Sequence, residues 1–402
     1  VLADKPDARA YLGLAKIHWA NGNYQSAKQV IDHAFNLDRR DPEIFRRWLP
    51  TLDDQEQIAA LQSQLALASN PDAPQTKSLK FSIHAREDRQ KKPLGNCKLV
   101  SSASSTEMKL EMLLRGPKQL GGYAIPMKLN DAKATVQVDT GAGGIIVNSR
   151  VAQKAGLQKL SDLRVGGIGD DGPSQGYWGY ASTITVGELE FKNCYVQVVE
   201  HLRVVDEDGL IGTNIFEDFL VDLDFPGKKL RLSPLEPLPD IPPDQLSLHS
   251  EMPIKPNPHN RIVPEKYANF EKVYRVGRDL LIPTQVNDSP PKLFLLDTGG
   301  WDNMISPALA SEISKVSASG TKVSGLGGEV RNVYQTDDLT LTFGGFQQHR
   351  QKLLAFDLKD LSDDAETEIS GILGFAMLWI LDIQLDYRDH LVNFHLDQKR
   401  PH

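Results

Sequence analysis

Cysteine is almost missing from this 402-residue chain: Cys97 and Cys194 are the only two. A disulfide-dense scaffold is thereby excluded, and two options stay open, one bridge in an oxidising compartment or two buried thiols. Basic excess is missing too. Lys and Arg number 45 against 53 Asp and Glu, a formal net charge of −8, and the pI is about 5.7, so no nucleic-acid footprint is expected. No apolar run is long enough to span a bilayer; the best stretch, residues 371–381, stops at Asp382. The ten histidines show no metal-ligand spacing, with His390 and His395 the nearest pair, so no metal is expected. There is no Gly-x-Ser-x-Gly elbow. Gly167-Ile-Gly-Asp-Asp-Gly172 spells a dinucleotide fingerprint, but Pro173, Gly176 and Gly179 forbid the helix that should follow, and no cofactor is implied. The first residue is Val1 and no leader is visible, so either a leader was removed or the stretch starts inside a longer protein.

What remains is an ordinary globular composition, 40% hydrophobic and 24% charged, in a chain too long for one core. Residues 1–72 read as helix. Apolar positions recur at helical spacing through Leu14 and Ile17 and again through Val30, Ile31, Ala34 and Phe35, with Gly22-Asn23 between the halves. The pattern Leu14, Ala15, Gly22, Tyr24, Ala27, Ile31, Ala34 resembles one tetratricopeptide repeat, with a generic helical hairpin the alternative, and a 34-residue step from Leu14 reaches Trp48, the start of a second, degraded unit. Residues 73–233 form a first β segment. It opens with loops, strand-like pieces at 79–83 and 108–113, and a charge run at 86–92 that reads as a solvated turn. A proline-rich stretch, 234–276, reads as a linker, and a second β segment fills 277–402. The acidic run 360–368 reads as a solvated loop.

The two β segments repeat each other. Ile125-Pro-Met-Lys-Leu-Asn-Asp131 matches Ile282-Pro-Thr-Gln-Val-Asn-Asp288, and Val136-Gln-Val-Asp-Thr-Gly141 matches Phe294-Leu-Leu-Asp-Thr-Gly299. Gly167 and Gly325 each lie 28 residues past the Asp of their triplet (167 − 139 and 325 − 297). Gly209-Leu-Ile-Gly212 then answers Gly371-Ile-Leu-Gly374, and Leu223-Asp-Phe225 answers Leu385-Asp-Tyr387. Asp-Thr-Gly alone is weak; twice, in this order and spacing, it is specific. This part of the chain, about residues 120–400, resembles the pepsin–retropepsin family of aspartic peptidases. The resemblance implies a mainly β, two-lobed fold with a cleft between the lobes, plus the small N-terminal helical segment.

The resemblance also assigns roles. Asp139 and Asp297 would be the catalytic dyad of an endopeptidase that hydrolyses peptide bonds with an activated water. Two facing carboxylates cannot both ionise, so they share a proton; aspartic proteases are the standard illustration of that effect. Thr140 and Thr298 would cross-link the loops below the dyad, and Gly141 and Gly299 would let backbone approach the carboxylates. Residues 167–180 resemble the flap that closes over substrate, with Tyr177, Trp178 and Tyr180 as substrate contacts or as residues packed on their own lobe; the symmetric hairpin starts at Gly325. Trp301 and Asp302 would shape the pocket. Pepsins place Ser or Thr after each triplet, whereas Ala142 and Gly300 stand here, which predicts raised dyad pKa values and an optimum nearer neutral. The partner implied is a peptide or protein substrate, with a protein partner for the helical segment a further possibility. Because one chain carries both lobes, a monomer is expected. Export, secreted or periplasmic, is what the resemblance implies for localisation. Two other readings stay open: a non-catalytic peptide-binding scaffold, and a narrow processing peptidase whose helical segment recruits its substrate.

Overall fold

The computed structural model describes residues 6–68, 70–91, 97–115, 119–200, 207–238, 246–249, 259–350 and 352–396. The chain forms two compact units: Val1–Gly95 with Met252–Ile262, and Asn96–Glu251 with Val263–His402.

The first unit is helical. Helix α1 (Ala8–Ala20) is capped by Asp7, whose carboxylate accepts the Arg9 and Ala10 N–H groups. It turns at Gly22, where φ is +71°, into α2 (Tyr24–Leu37). Leu12, Ala15, Ile31, Ala34 and Ile44 make their shared core, so the helix pair expected across Gly22-Asn23 is present. Helix α3 (Pro42–Trp48) begins 34 residues after α1 begins (42 − 8), and a 3₁₀ turn at Leu49–Thr51 ends it early. Helix α4 (Asp54–Ala66) starts with an Asp53/Glu56 capping box.

One expectation fails here. Residues 79–83 are not a strand; they lie inside α5 (Pro74–Lys91). Leu79 and Ile83 are one helical turn apart and meet Ile58 and Leu61 on one face. The spacing of four was misread as alternation. Most of the charge run is therefore helix rather than turn, and the Arg86 Nε donates to Gln57 Oε1 at 2.9 Å. The acidic run is likewise partly helical, over Lys359–Asp364. Much of the proline-rich linker lies outside the described residues. Its described part carries a 3₁₀ turn at Glu265–Tyr267 and strands at Glu271–Lys272 and Tyr274–Val276. Asn260 pairs with Asn23, and the Arg261 N–H donates to the Gly22 carbonyl at 2.7 Å, which fastens residues 259–262 into the helical unit.

The second unit is the expected two-lobed β structure. A nine-stranded sheet forms the first lobe and a ten-stranded sheet the second. In each, the strand ending in the Asp of the triplet (Ala132–Asp139, Lys292–Asp297) lies parallel to a short Gly-bounded strand (Gly209–Gly212, Gly371–Gly374). That strand runs antiparallel to the one after the triplet (Ile145–Asn148, Met304–Ile305). A six-stranded sheet joins the lobes, with Phe219–Asp224 of the first pairing directly with Asp382–Asp386 of the second. Val221, Leu223, Leu230, Ile383, Leu385 and Val392 are buried there, the period-2 signature of a sheet with one face in the core. Asp222, Asp224, Arg231 and Gln384 alternate with them. Across the seam the Tyr387 hydroxyl bonds Thr213 Oγ1 at 2.6 Å, and Arg275 pairs with Glu217 at 3.1 Å, both buried.

Cys97 and Cys194 are bonded. The bridge ties the strand Lys98–Leu99 to Leu189–Val199, which it also pairs with. It closes a loop of 97 residues in sequence separation. A loop of that size constrains the unfolded chain by about 4–5 kcal/mol in the chain-entropy account. Reduction, or a Cys97→Ser/Cys194→Ser double variant, is expected to lower the unfolding midpoint in urea correspondingly; an unchanged midpoint contradicts this.

Asp224 and Asp386 each close the turn after their strand by accepting the N–H three residues on, at Gly227 (2.7 Å) and Asp389 (2.9 Å). Asp386 is fully buried, and its Oδ2 has no partner among the described residues. Burial, with the nearby charge of Asp389, pushes its pKa up to about 7. The folded state therefore holds this proton more tightly than the unfolded chain does. The resulting stability is complete below the ordinary carboxyl range and is lost as pH rises through about 7. Thermal unfolding should show a lower Tm at pH 8 than at pH 5, and Asp386→Asn should shrink that gap.

Candidate active site

Both strands that carry the dyad end against each other. Asp139 and Asp297 are brought together at the bottom of the cleft, and their carboxyls share a hydrogen bond. Beneath them the two triplets interlock. The Thr140 N–H donates to Thr298 Oγ1 at 3.1 Å, and the Thr298 N–H donates to Thr140 Oγ1 at 2.9 Å. Each hydroxyl then donates across to a strand carbonyl, Thr140 to Leu296 at 2.7 Å and Thr298 to Val138 at 3.1 Å. Both threonines are 1% exposed, so every one of these groups would be orphaned without its partner.

The glycines are needed by contact. A Cβ on Gly299 would stand 2.3 Å from the Asp139 carboxyl carbon, and one on Gly141 would stand 2.8 Å from that of Asp297. Their N–H groups serve instead as donors: Gly141 and Ala142 to Asp139 Oδ1 (2.8 and 3.1 Å), Gly299 and Gly300 to Asp297 Oδ1 (2.9 and 2.8 Å). Behind the loops, Asn214 Oδ1 accepts the Gly144 N–H at 3.2 Å, and Asn303 Oδ1 accepts the Gly374 N–H at 2.8 Å. These asparagines were not singled out in the sequence. Their signal was weak, since each lies at a different place in its own segment.

Burial raises the pKa of both aspartates. For Asp139 the neighbouring Asp297 carboxylate and the hydrogen bond between them raise it further, while the four backbone N–H donors pull the pair the other way. The consequence is a pair that holds a proton more firmly than a lone carboxyl does. Nothing beside them supplies a hydroxyl at Ala142 or Gly300.

Two hairpins roof the dyad. The first joins Gln158–Val165 to Ser174–Val186, and the second is the short pair Ser324–Gly325 with Gly328–Glu329. Their tips bond to each other. The Gly327 N–H donates to the Ile168 carbonyl (2.9 Å), the Asp171 N–H to the Gly327 carbonyl (2.7 Å), and Ser174 Oγ to the Leu326 carbonyl (3.1 Å). Gly169, at φ +131°, has no room for a Cβ, which would fall 2.3 Å from the Gly327 backbone. A cavity of about 500 Å³ is left between roof and dyad.

Of the residues singled out from sequence, Asp139, Gly141, Asp297, Gly299, Gly167, Gly325 and Trp301 line this cavity, as does Asp302. Thr140 and Thr298 lie under it. Tyr177, Trp178 and Tyr180 are not among the lining residues. The hairpin tip is residues 166–173, and by Tyr177 the strand has already run back into its own lobe. Tyr177 packs on the lobe core with Lys159 Nζ 5.6 Å from its ring, Trp178 meets Tyr195 edge-on, and the Tyr180 hydroxyl donates to Asn193. Among the lining residues missed are Ile168 and Leu326 at the tips, and Gln137 and Gln197 on the floor. Strand parity could have found Gln137, which stands two residues before Asp139 and so faces the same way.

The fold and these paired loops define a two-lobed aspartic-peptidase architecture. Residues 125–218 match the family described as "gag-polyprotein putative aspartyl protease", and residues 282–377 match the family "Aspartyl protease". These two matches support an aspartic peptidase assignment for the β unit; neither reaches the N-terminal helices. No curated protein matches the chain. Among solved structures, an aspartic proteinase from Irpex lacteus is similar over 73% of this chain and 98% of its own, at 11% identity and a TM-score of 0.43.

Removing one of the threonine hydroxyls should be costly. Thr140→Val deletes a donor and an acceptor, and leaves the buried Thr298 N–H without a partner; each such loss is worth about 1–3 kcal/mol. A matching fall in unfolding free energy is expected by urea titration, and a fall below about 0.5 kcal/mol would show that the lattice contributes little.

Proposed function

We propose that this chain is an aspartic endopeptidase. The observation that carries the reading is the pair of Asp-Thr-Gly loops locked face to face by reciprocal threonine bonds, with Asp139 and Asp297 side by side above them. A water between the carboxyls loses its proton to the ionised one while its oxygen attacks the scissile carbonyl. The protonated partner gives its proton to the carbonyl oxygen, so a neutral tetrahedral diol forms. Collapse breaks the C–N bond. The carboxyl that took the water's proton passes it to the departing amine, and the other takes back a diol proton. The dyad ends as it began, and no covalent enzyme intermediate is involved.

The hairpin tips must part for a peptide to enter, which makes opening part of the catalytic cycle. A scaffold that only binds peptides has no use for both carboxylates, and that favours the enzyme. The helical unit fits one tetratricopeptide-like pair with a shortened second, and we read it as a recruiting element for substrate or partner. The Cys97–Cys194 bond supports an exported protein. We read the active form as a monomer, because one chain supplies both aspartates.

Cleavage of a mixed peptide library from pH 3 to 8 tests this. Asp139→Asn should lower the rate by about 10²–10⁴-fold, and a pepstatin-type inhibitor should block the remainder of the wild-type activity. With no hydroxyl at Ala142 or Gly300 to favour the ionised dyad, the pH–rate profile should peak nearer neutral than pepsin's. Ala142→Ser should move it down. A wild-type peak well below pH 4 sinks the pH argument, and cleavage untouched by Asp139→Asn sinks the mechanism.

A further inference from the structure

Each lobe carries one row of residues crossing five strands, and all but Trp178 in the first row and Ile372 in the second line the cavity. In the first lobe the row is Gln137, Leu210, Ile146, Gln197 and Trp178, each the cross-strand partner of the next. In the second it is Leu295, Ile372, Met304, Leu354 and Gln335, paired in the same order. The rows are equivalent by position, since Gln137 and Leu295 each stand two residues before a dyad aspartate. Where the second lobe has Leu295 and Leu354, the first has Gln137 and Gln197, and all four line the cavity.

Gln137 is 3% exposed, yet its carboxamide makes no hydrogen bond among the described residues. Gly122 makes the space for it, because a Cβ there would lie 2.9 Å from Gln137 Nε2. Gln197 is as buried; its Nε2 donates to the Gly143 carbonyl at 2.9 Å, and its Oε1 has no partner among the described residues. Both side chains line the cavity, so their unbonded amide atoms are available to whatever fills it. Leu295 shows that an apolar side chain packs well in this register, so packing alone does not call for glutamine.

We propose that Gln137 selects the substrate. The first-lobe half of the cavity takes a side chain ending in a carboxamide or carboxylate, from glutamine or glutamate, and the second-lobe half takes an aliphatic one. This rests on the peptidase reading. The Gln137 amide donates to and accepts from such an end group, while leucine offers it nothing. A site that hydrogen-bonds its substrate rejects an apolar analogue, because the site's own polar groups are then left unpaired. Arg164, on the same lobe as Gln137, also lines the cavity, so glutamate is accommodated as well as glutamine.

The test uses peptides of one frame, with Gln, Glu, Leu or Phe at each position flanking the scissile bond. Cleavage (kcat/KM) is measured with the wild type, and binding (Kd, by fluorescence anisotropy) with Asp139→Asn protein. A preference for Gln or Glu at one flanking position only, with Leu favoured at the other, is expected. Gln137→Leu should reduce the polar-over-leucine ratio at that position by tenfold or more and leave the other position's ratio alone. Gln137→Glu should keep glutamine and reject glutamate, which serves if the leucine variant does not fold. The ratio of Glu to Gln, and its decline with salt, separates the share of Arg164 from that of the amide. Equal acceptance of leucine at both positions, or ratios unchanged by Gln137→Leu, overturns the proposal. If no peptide is cleaved but binding shows the same one-sided preference and the same response to Gln137→Leu, selection stands and the peptidase reading falls. No binding of any peptide overturns both.

Discussion

The reciprocal threonine bonds beneath Asp139 and Asp297 are the constraint that the rest of the β unit serves. Two carboxyls that share a proton must be held at hydrogen-bond range although burial and charge both oppose their ionisation together. Here the hold comes from uncharged groups: two backbone N–H donors and two hydroxyls, each bonded across to the other lobe. Because the bonds are reciprocal, neither loop shifts without stranding a buried group of the other. The short Gly-bounded strands behind the loops and the two asparagines that hold them extend this rigidity outward.

The remaining architecture aligns the two halves so that this lattice forms. Direct strand pairing between the lobes, Val221 with Leu385 and Leu223 with Ile383, fixes their register, since a one-residue slip would turn the apolar face to the wrong side. The Tyr387–Thr213 bond and the buried Arg275–Glu217 pair lie along the same seam. The lobes are related by a near-repeat, but not a perfect one. Glutamine replaces leucine on one floor, and the hairpins differ in length, so the cavity has two unlike halves.

What could be read in the sequence was what the repeat printed twice. Asp139 and Asp297, their threonines and glycines, and the hairpin glycines Gly167 and Gly325 all stood out because two copies fixed their spacing. Single-copy features were harder. Tyr177 and Trp178 looked like substrate contacts because aromatics near a hairpin suggest a lid, but the tip ends before them. Leu79 and Ile83 gave a β impression only because the α4 face that receives them was unknown. Gln137 was passed over because it sits between two valines of a core strand, where only the facing direction marks it out. That the hairpin tips bond each other depends on bringing residues 168 and 327 together, which no local pattern encodes.

The helical unit is assembled from two separate stretches of chain, and the second lies between the lobes in sequence. The connection that passes from the first aspartate's lobe to the second is pinned on its way at Asn23, Ser26 and the Gly22 carbonyl. The N-terminal helices are thus a mooring for that connection rather than an appendage. Removing or exchanging them would release residues 259–262 from these bonds and lengthen the free stretch between the two halves of the dyad. The helices and the cleft would then be expected to have diversified as one inherited block.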